Sequence, residues 1–226
     1  MNAAGRTACL AGLLFLLLVR GGGEAGTDIL EVGRFSAGSL EGWESKGFKG
    51  VTEYRIVTDG GRRVLQAESR GSASGYYHRV KVNPREYPLL RWSWKVAGTV
   101  RGENARSKEG DDFAARVYVV FPGFFFWQSR SIVYVWSGSL GKGESLPSAY
   151  TGRVMVVAVE SGDAGSGVWV NEERNYLADY RRLFGEEPGT LGAVAVMTDS
   201  DNTGGRATAW YGDIVLAREG AGQVRR

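Results

Sequence analysis

The sequence predicts an all-β fold: a two-sheet antiparallel β-sandwich of the jelly-roll type, with one short α-helix against it. Apolar and polar residues alternate with period two in about nine runs, which is typical of strands with one buried face. Turns containing glycine, serine or proline separate these runs, and the chain holds 34 glycines. Seven tryptophans, ten tyrosines and nine phenylalanines accompany a single helical pattern. This profile favours a β-sandwich.

The first 25 residues are expected to be a signal peptide. Arg6 supplies a short positive region, residues 7–19 are almost wholly apolar, and Gly23 and Ala25 stand at the two small positions before a cleavage site. The apolar run is shorter than the roughly 20 residues of a spanning helix, which disfavours a membrane anchor. We therefore expect a periplasmic or secreted protein with one β-sandwich domain over residues 26–226.

The composition of residues 26–226 excludes several functional classes. Cleavage after Ala25 lowers the net charge from +3 to +2, and the absence of a basic stripe disfavours nucleic acid as a partner. Cys9 is the single cysteine, so the cleaved chain has neither a disulfide nor a cysteine nucleophile. No later stretch is apolar enough to span a bilayer, and the pattern leaves the oligomeric state open.

The predicted strands follow one another along the chain with short connections. In order they are YRIVT (54–58), RVLQAE (63–68), GYYHRVKV (75–82), LLRWSWKVA (89–97), FAARVYVVF (113–121), SIVYVWS (131–137), RVMVVAVE (153–160), GAVAVMT (192–198) and TAWYGDIVLA (208–217). Asp59-Gly60-Gly61 predicts a hairpin turn between the first two. Residues 100–112 read as a polar loop.

Alternation groups residues on one face in three of these strands. The residues that share a face are Leu90, Trp92, Trp94 and Val96 in the fourth strand, Phe113, Ala115, Val117, Val119 and Phe121 in the fifth, and Ile132, Tyr134 and Trp136 in the sixth. Trp92 and Trp94 are expected to be core residues, because polar residues occupy the alternate positions of their strand. The only histidine, His78, shares a face with Tyr76 and Val80, and we expect it to lie in the core or in a groove wall. One histidine cannot make a multi-histidine metal site.

Two segments break the alternation. NEERNYLADYRRLFG predicts a helix of three turns, with Asn171 as N-cap and Gly185 as C-terminal stop. In FPGFFFWQSR, the aromatic loop 121–127 has a turn at Pro122-Gly123, and the aromatic residues 124–127 follow it without alternation. This segment predicts either a buried strand start, an exposed platform that stacks on sugars, or a loop that dips into a membrane interface.

Three motifs in fixed order carry a resemblance to a known family. GDDFAARVYVVF, WVNEERNYLADYRRLFG and VMTDSDNTGG…AWYGDI resemble the bacterial family catalogued as domain of unknown function 3047. The resemblance covers about Phe35 to Leu216 and implies an exported bacterial protein without an assigned activity.

A looser resemblance concerns the two ends of the domain. FSAGSLEGW (35–43) looks like the opening of galactose-binding-like jelly-roll domains, and AWYGDIVLA, with Asp213, looks like their last strand. In many such domains a structural calcium joins these strands, but Ser36 stands here in place of the acidic partner. The resemblance implies a jelly roll and, by analogy of fold, carbohydrate binding.

Acidic residues at element ends supply the candidate site. Asp199 and Asp201 lie in the glycine-rich turn TDSDNTGG, where the two-residue spacing imitates the first half of a calcium loop. The twelfth position is Trp210 rather than Glu, which excludes an EF-hand. We expect either a local turn or a shared pocket with Asp111 or Asp112, in which calcium bound by Asp199 and Asp201, Arg116, or a ligand with donor groups offsets the charge.

Further residues complete the predicted ligand-binding set. Glu173 and Asp179 are placed on the helix, where pairing with Arg174, Arg181 or Arg116 is the alternative to a ligand role. Trp136 and Tyr211 are the aromatic candidates for stacking on a sugar. The predicted function is a non-catalytic domain that binds glycan or cell-envelope material. The alternatives are a glycan-active enzyme using a carboxylate pair and a structural envelope protein that binds other proteins.

Overall fold

The computed structural model describes residues 27–125 and 128–222 and confirms the predicted β-sandwich. The predicted signal peptide, Phe126 and Trp127 lie outside the described residues. No helix of the described chain has the length and apolar character needed to cross a membrane.

Within the described residues, fourteen strands form two sheets of seven. The strands are β1 (Ile29–Gly33), β2 (Trp43–Lys49), β3 (Glu53–Asp59), β4 (Arg62–Arg70), β5 (Ala73–Val82), β6 (Leu89–Val96), β7 (Ala115–Phe121), β8 (Arg130–Ser137), β9 (Ser145–Ser148), β10 (Thr151–Ser161), β11 (Val170–Asn175), β12 (Leu191–Asp199), β13 (Arg206–Tyr211) and β14 (Ile214–Ala217). One α-helix, α1 (Tyr176–Phe184), and two short 3₁₀ helices, Phe35–Ala37 and Lys108–Gly110, complete the described elements.

Sheet A has the order β1-β14-β6-β13-β4-β3, with β11 on the other side of β6. Strands β13 and β14 lie one after the other along the same side of β6, and Gly212 and Asp213 separate them. The single run predicted over 208–217 is therefore two strands. Sheet B has the order β2-β5-β12-β7-β8-β10-β9. Its strands are antiparallel except for the parallel pair of β8 and β10.

The main core lies between the two sheets. Leu90, Trp92, Trp94 and Val96 all face it, as predicted for the two tryptophans, because the alternate positions of β6 carry polar groups. A second apolar cluster lies on the opposite face of sheet B and includes Val133, Val135 and Phe113. Phe113 therefore does not share the core face of β7, since it precedes that strand and joins the second cluster.

Local signals explain the turns and the helix. The hairpin between β3 and β4 is closed by Gly60 and Gly61, both with positive φ (57° and 85°), which suits the backbone of a two-residue hairpin. Helix α1 ends at Gly185 in the left-handed conformation, as predicted. Its N-cap is Asn175, whose side chain accepts from the Ala178 amide, rather than Asn171. Residues 170–175 form β11 instead, because each of them pairs with a residue of β6, from Trp94 to Leu89.

In the structure His78 is half-buried, between the core and the surface. Its imidazole packs edge-on against Trp43 at a centroid distance of 5.7 Å. In the aromatic segment after β7, Phe124 is 91% exposed and Phe125 is 45% exposed. A buried strand start is therefore wrong for these two residues.

Candidate functional site

Four predicted carboxylates converge at one end of sheet B. Asp199 is the last residue of β12, and Asp201 lies in the turn after it. Asp111 and Asp112 lie in the loop before β7, which begins at Ala115. Oxygen atoms of Asp112, Asp199 and Asp201 all lie within 4.8 Å of one another. We call these four residues the carboxylate pocket. The expectation of a shared pocket, rather than a purely local turn, agrees with this geometry.

Arg116 compensates the charge inside the carboxylate pocket. Its Nε donates to Asp199 Oδ1 at 2.8 Å, and its Nη2 donates to Asp199 Oδ2 and to the Asp111 carbonyl oxygen. Arg116 Nη1 also lies 3.5 Å from Asp111 Oδ2. The guanidinium sits over the Phe113 ring at 4.4 Å. Arg116 is thus held from several sides, although it stands on the outer face of sheet B.

Backbone amides hold the remaining buried carboxylate. Asp112 accepts from the amides of Asn202 at 3.1 Å and Thr203 at 2.6 Å, which fixes the polar loop 100–112 to the turn after β12. Asp199 accepts a further hydrogen bond from the Phe113 amide at 3.2 Å. Lys49 Nζ, at the end of β2, donates to the Asp201 carbonyl oxygen at 2.9 Å and lies 3.9 Å from Asp201 Oδ2.

Burial dominates the electrostatics of the carboxylate pocket. It raises the pKa of Asp199 to about 7, although Arg116 and the Phe113 amide act in the opposite direction. Burial also raises the pKa of Asp111. A carboxyl group in a dry environment favours its neutral form. The pocket therefore tolerates four acids through Arg116, backbone donors and proton uptake.

The carboxylate oxygens of the pocket do not fit the ligand set of the predicted calcium ion. Calcium takes six to eight oxygen ligands, whereas the oxygens of Asp199 accept from Arg116 and those of Asp112 accept from backbone amides. Of the three clustered carboxylates, Asp201 alone has no hydrogen-bond donor on its side-chain oxygens within the described chain. Arg116 accordingly takes the charge-compensating role that was one of the predicted alternatives.

Most of the carboxylate pocket is closed to solvent. Asp112 is 0% and Asp199 is 2% exposed, so direct ligand contact is not available to either, contrary to expectation. Arg116 and Asp111 are also buried. Asp201 is the member that reaches the surface, with 15% of its side chain exposed. The buried members act as the framework that positions the turn 200–204.

Sequence reasoning missed the surface residues beside this turn. Tyr150, between β9 and β10, is 54% exposed, and its hydroxyl accepts from Asn202 Nδ2 at 3.0 Å and donates to the Lys108 carbonyl at 3.3 Å. Lys49 flanks the turn on its other side. We call Lys49, Tyr150, Asp201 and Asn202 the turn surface. Tyr150 lies in no alternating pattern, so no sequence signal identified it.

The other predicted ligand-binding residues lie elsewhere. Glu173 is on β11, not on the helix, and pairs with Arg91 Nε at 2.5 Å. Asp179 is buried on α1, where it accepts from Arg174, Arg182 and the Tyr134 hydroxyl. This is the ion-pairing alternative to a ligand role.

Both aromatic candidates belong to the core. Trp136 and Tyr211 are fully buried, so neither can stack on a ligand. Trp136 Nε1 donates to the Gly162 carbonyl at 3.0 Å, and the Tyr211 hydroxyl donates to the Met197 carbonyl at 2.7 Å. Both residues lie on strands, as predicted, but each side chain points into the core between the two sheets.

Comparison with known proteins identifies a family and several structures of similar fold. The family model described as protein of unknown function DUF3047 matches residues 41–215. No curated protein matches the chain. Among solved structures, a family 30 carbohydrate-binding module of a Clostridium thermocellum cellulosomal cellulase is 12% identical, with a TM-score of 0.45, covering 85% of this chain and 99% of the module.

Two further modules show weaker likeness. A mutant family 29 carbohydrate-binding module is 10% identical, with a TM-score of 0.38, over 84% of this chain and 92% of that chain. A family 61 module solved with β-1,4-galactotriose is 10% identical, with a TM-score of 0.32, over 83% and 91%. What these modules bind is a property of those proteins.

Proposed function

The chain belongs to the family of proteins of unknown function DUF3047, and we propose that it is an exported, non-catalytic domain that binds glycan at the turn surface. One observation carries the proposal: the exposed ring of Tyr150 is fixed through its hydroxyl to Asn202, in the turn that also presents Asp201. Aromatic rings present an apolar face to the C–H groups of a sugar. Carboxylate, amide and ammonium groups supply acceptors and donors for its hydroxyls.

The framework beneath the turn surface supports a preorganised site. Asp112 holds the amides of Asn202 and Thr203, and Arg116 holds Asp199 directly before the turn. A site whose residues are fixed before binding loses less conformational entropy when the ligand arrives. The turn surface therefore combines a rigid base with an exposed aromatic ring.

The same geometry favours binding over glycoside hydrolysis. Hydrolysis by a carboxylate pair requires two carboxyl groups that both reach the sugar. In the carboxylate pocket, Asp112 and Asp199 are sealed and hydrogen-bonded, which leaves Asp201 as the surface acid. We accordingly assign Asp201 to ligand hydrogen bonding.

A binding screen tests this function. The protein is run through native gels that contain individual envelope and plant polysaccharides, and retarded migration reports binding. We expect at least one polysaccharide to retard the wild type, and Tyr150→Ala to remove most of that effect. Tyr77→Ala is the matched control, because Tyr77 lies on β5 and hydrogen-bonds Glu44. The proposal fails if no polysaccharide retards the protein, or if both variants behave alike.

Export is tested separately. We propose that the chain is cleaved near Ala25, on the basis of the apolar run and small residues before it. N-terminal sequencing of the protein recovered from its native host should give a start near Gly26. Recovery of a soluble cytoplasmic form that retains Met1 would show that the N-terminal segment is not a signal.

A further inference from the structure

An exposed aromatic pair lies in the loop between β7 and β8 and takes no part in the turn surface. Phe124 is 91% exposed and Phe125 is 45% exposed, and their rings meet edge to face at a centroid distance of 4.8 Å. We call these two residues the aromatic tip. Adjacent apolar side chains at the surface mark a place that another molecule covers.

The loop that carries the aromatic tip has a fixed base. Phe121, the last residue of β7, is buried and packs edge to face against Tyr180 of α1 at a centroid distance of 4.6 Å. The Phe125 amide donates to Gln128 Oε1 at 3.1 Å, and the Gln128 amide donates to the Phe125 carbonyl oxygen at 2.9 Å. The aromatic tip therefore projects from a packed and hydrogen-bonded base, a shape that suits insertion into a soft surface.

Positive charge lies at the same edge of sheet B as the aromatic tip. Strand β5 ends and β12 begins beside the end of β7, because the three strands are antiparallel neighbours. Lys81 is exposed at the end of β5. Arg85, in the loop after β5, and Arg181, on α1, lie within 3.1 Å and 2.7 Å of the same carboxylate, that of Glu187.

The other carboxylates at this edge are also in ion pairs. Glu186 lies 2.6 Å from Arg130 Nη1, at the start of β8, and Glu86 lies 4.0 Å from Arg218 Nη2. Lys81 and the two arginines that share one carboxylate therefore leave this edge with an excess of positive charge. Such an excess complements an anionic surface.

We propose that the aromatic tip docks the protein on an anionic phospholipid surface. Phe124 and Phe125 insert at the boundary between headgroups and acyl chains, where the binding strength grows with the apolar area that is buried. Lys81 and Arg85 face the headgroups, because anionic lipids attract lysine and arginine side chains that lie close to the membrane surface.

Docking through the aromatic tip leaves the turn surface free. Strand β12 starts at the edge of sheet B that carries the tip and ends at Asp199, directly before the turn 200–204. Its nine residues span about 27 Å at about 3.4 Å per residue. Residues 200–204 therefore point away from a bilayer that the tip contacts, and the lipid site is independent of the proposed glycan site.

Sedimentation with lipid vesicles tests the apolar contribution. The protein is mixed with vesicles of phosphatidylglycerol and phosphatidylcholine in equal parts, or with vesicles of phosphatidylcholine alone. We expect at least about tenfold tighter binding to the anionic vesicles, and F124S/F125S should weaken that binding at least about tenfold because two apolar rings are lost. F48S/V51S is the matched control, since Phe48 and Val51 are 66% and 78% exposed beside the opposite edge of sheet B.

Charge reversal tests the electrostatic contribution in the same assay. K81E/R85E should remove most of the preference for anionic vesicles, whereas R101E/R206E should retain it. Arg101 and Arg206 are the matched controls because both are exposed and lie next to the turn 200–204. A retained N-terminal apolar segment would raise the binding of all variants alike, so the differences between variants report on the aromatic tip.

An NMR measurement locates the contact in the wild type, independently of folding defects in the variants. In bicelles of the anionic mixture that contain spin-labelled lipid, the amide signals of residues 123–125 should lose intensity, while those of 200–204 should not. The proposal is overturned if the anionic vesicles are not preferred, if either control variant weakens binding as much as its test variant, or if signals 123–125 keep their intensity. Loss of polysaccharide binding in Tyr150→Ala would leave all of these results unchanged.

Discussion

Arg116 and Asp199 form a buried ion pair that joins β7 to β12. Arg116 Nε donates to Asp199 Oδ1 at 2.8 Å, and Nη2 donates to Oδ2. Both side chains are more than nine-tenths buried. This pair lies directly beneath the turn that presents Asp201, so it connects the stability of the fold to the position of the proposed glycan site.

Removal of the arginine should strongly destabilise the fold. Arg116→Met leaves Asp199 buried without its cation, and loss of one partner from a buried pair costs about 3–5 kcal/mol. Chemical denaturation at about pH 8 measures the free energy of unfolding, with Arg153→Met as the exposed control. The cost should be smaller at about pH 5, where Asp199 can bind a proton instead. An equal loss in the two variants would contradict the assigned role of Arg116.

The stability of the protein should depend on the protonation of Asp199. Burial raises the folded-state pKa to about 7 from an ordinary value of 3.8. The stabilising contribution of protonated Asp199 to the free energy of unfolding is therefore fully present below about pH 4, and it is lost as the pH rises through about 7. Asp199→Asn should lose less free energy of unfolding than the wild type between about pH 5 and pH 8.

Glu172 is a second carboxyl group whose protonation should affect the stability of the fold over the same pH range. Burial, and after it repulsion from the neighbouring Glu160 carboxylate, raises the pKa of Glu172 to about 7, so Glu172→Gln should also reduce the pH dependence of stability between about pH 5 and pH 8. The double variant should be flatter than either single variant. A wild-type slope in Asp199→Asn would show that this carboxyl does not titrate in the folded chain.

Chelator should have little effect on the carboxylate pocket. Because Arg116 and backbone amides already bind its oxygens, the melting temperature of the wild type should be the same in calcium and in chelator. Any loss in Asp201→Asn should also be indifferent to chelator. A bound cation would instead stabilise the wild type in proportion to its concentration, and a rise in melting temperature with calcium that Asp201→Asn abolishes would refute the arginine role.

The tryptophans of β6 should behave as core residues. Trp94 is fully buried and packs against Trp136 at 6.0 Å, so Trp94→Ala should cost about 3–5 kcal/mol. Trp210→Ala is the control, because Trp210 is half-buried on the outer face of sheet A. Chemical denaturation of both variants makes the comparison. A loss below about 1 kcal/mol for Trp94→Ala would mean that the core face is assigned wrongly.

Alternation predicted the longer strands that have one buried face, and it missed strands that are short, exposed or polar. All nine runs correspond to strands, but β2 (Trp43–Lys49) is almost fully exposed and carries no alternation. Strand β11 has the sequence VNEERN, whose polar residues suit a helix equally well. These residues form a strand because they pair with β6. Pairing with a strand that is distant in sequence cannot be recognised from the local pattern.

The candidate site was predictable in part for a similar reason. Acids at neighbouring strand ends converge because β7 and β12 pair directly, which allowed Asp111, Asp112, Asp199 and Asp201 to be grouped. Burial could not be derived from residue type, so Asp112 and Asp199 were expected to contact ligand. Tyr150 reaches the site from the turn before β10, about 50 residues away from Asn202 in sequence, and no pattern connects the two.

Backbone NMR of the wild type with its bound polysaccharide fragment decides where glycan binds. The fragment is an oligosaccharide of the polysaccharide that retards the protein, and the amide signals of residues 200–204 and 149–151 are followed during titration. We predict that these signals shift together and saturate at one affinity, and that Tyr150→Ala abolishes the shifts while the remaining spectrum stays folded. Shifts confined to residues outside the turn surface, with signals 149–151 and 200–204 unmoved at saturation, would contradict a glycan site at this turn.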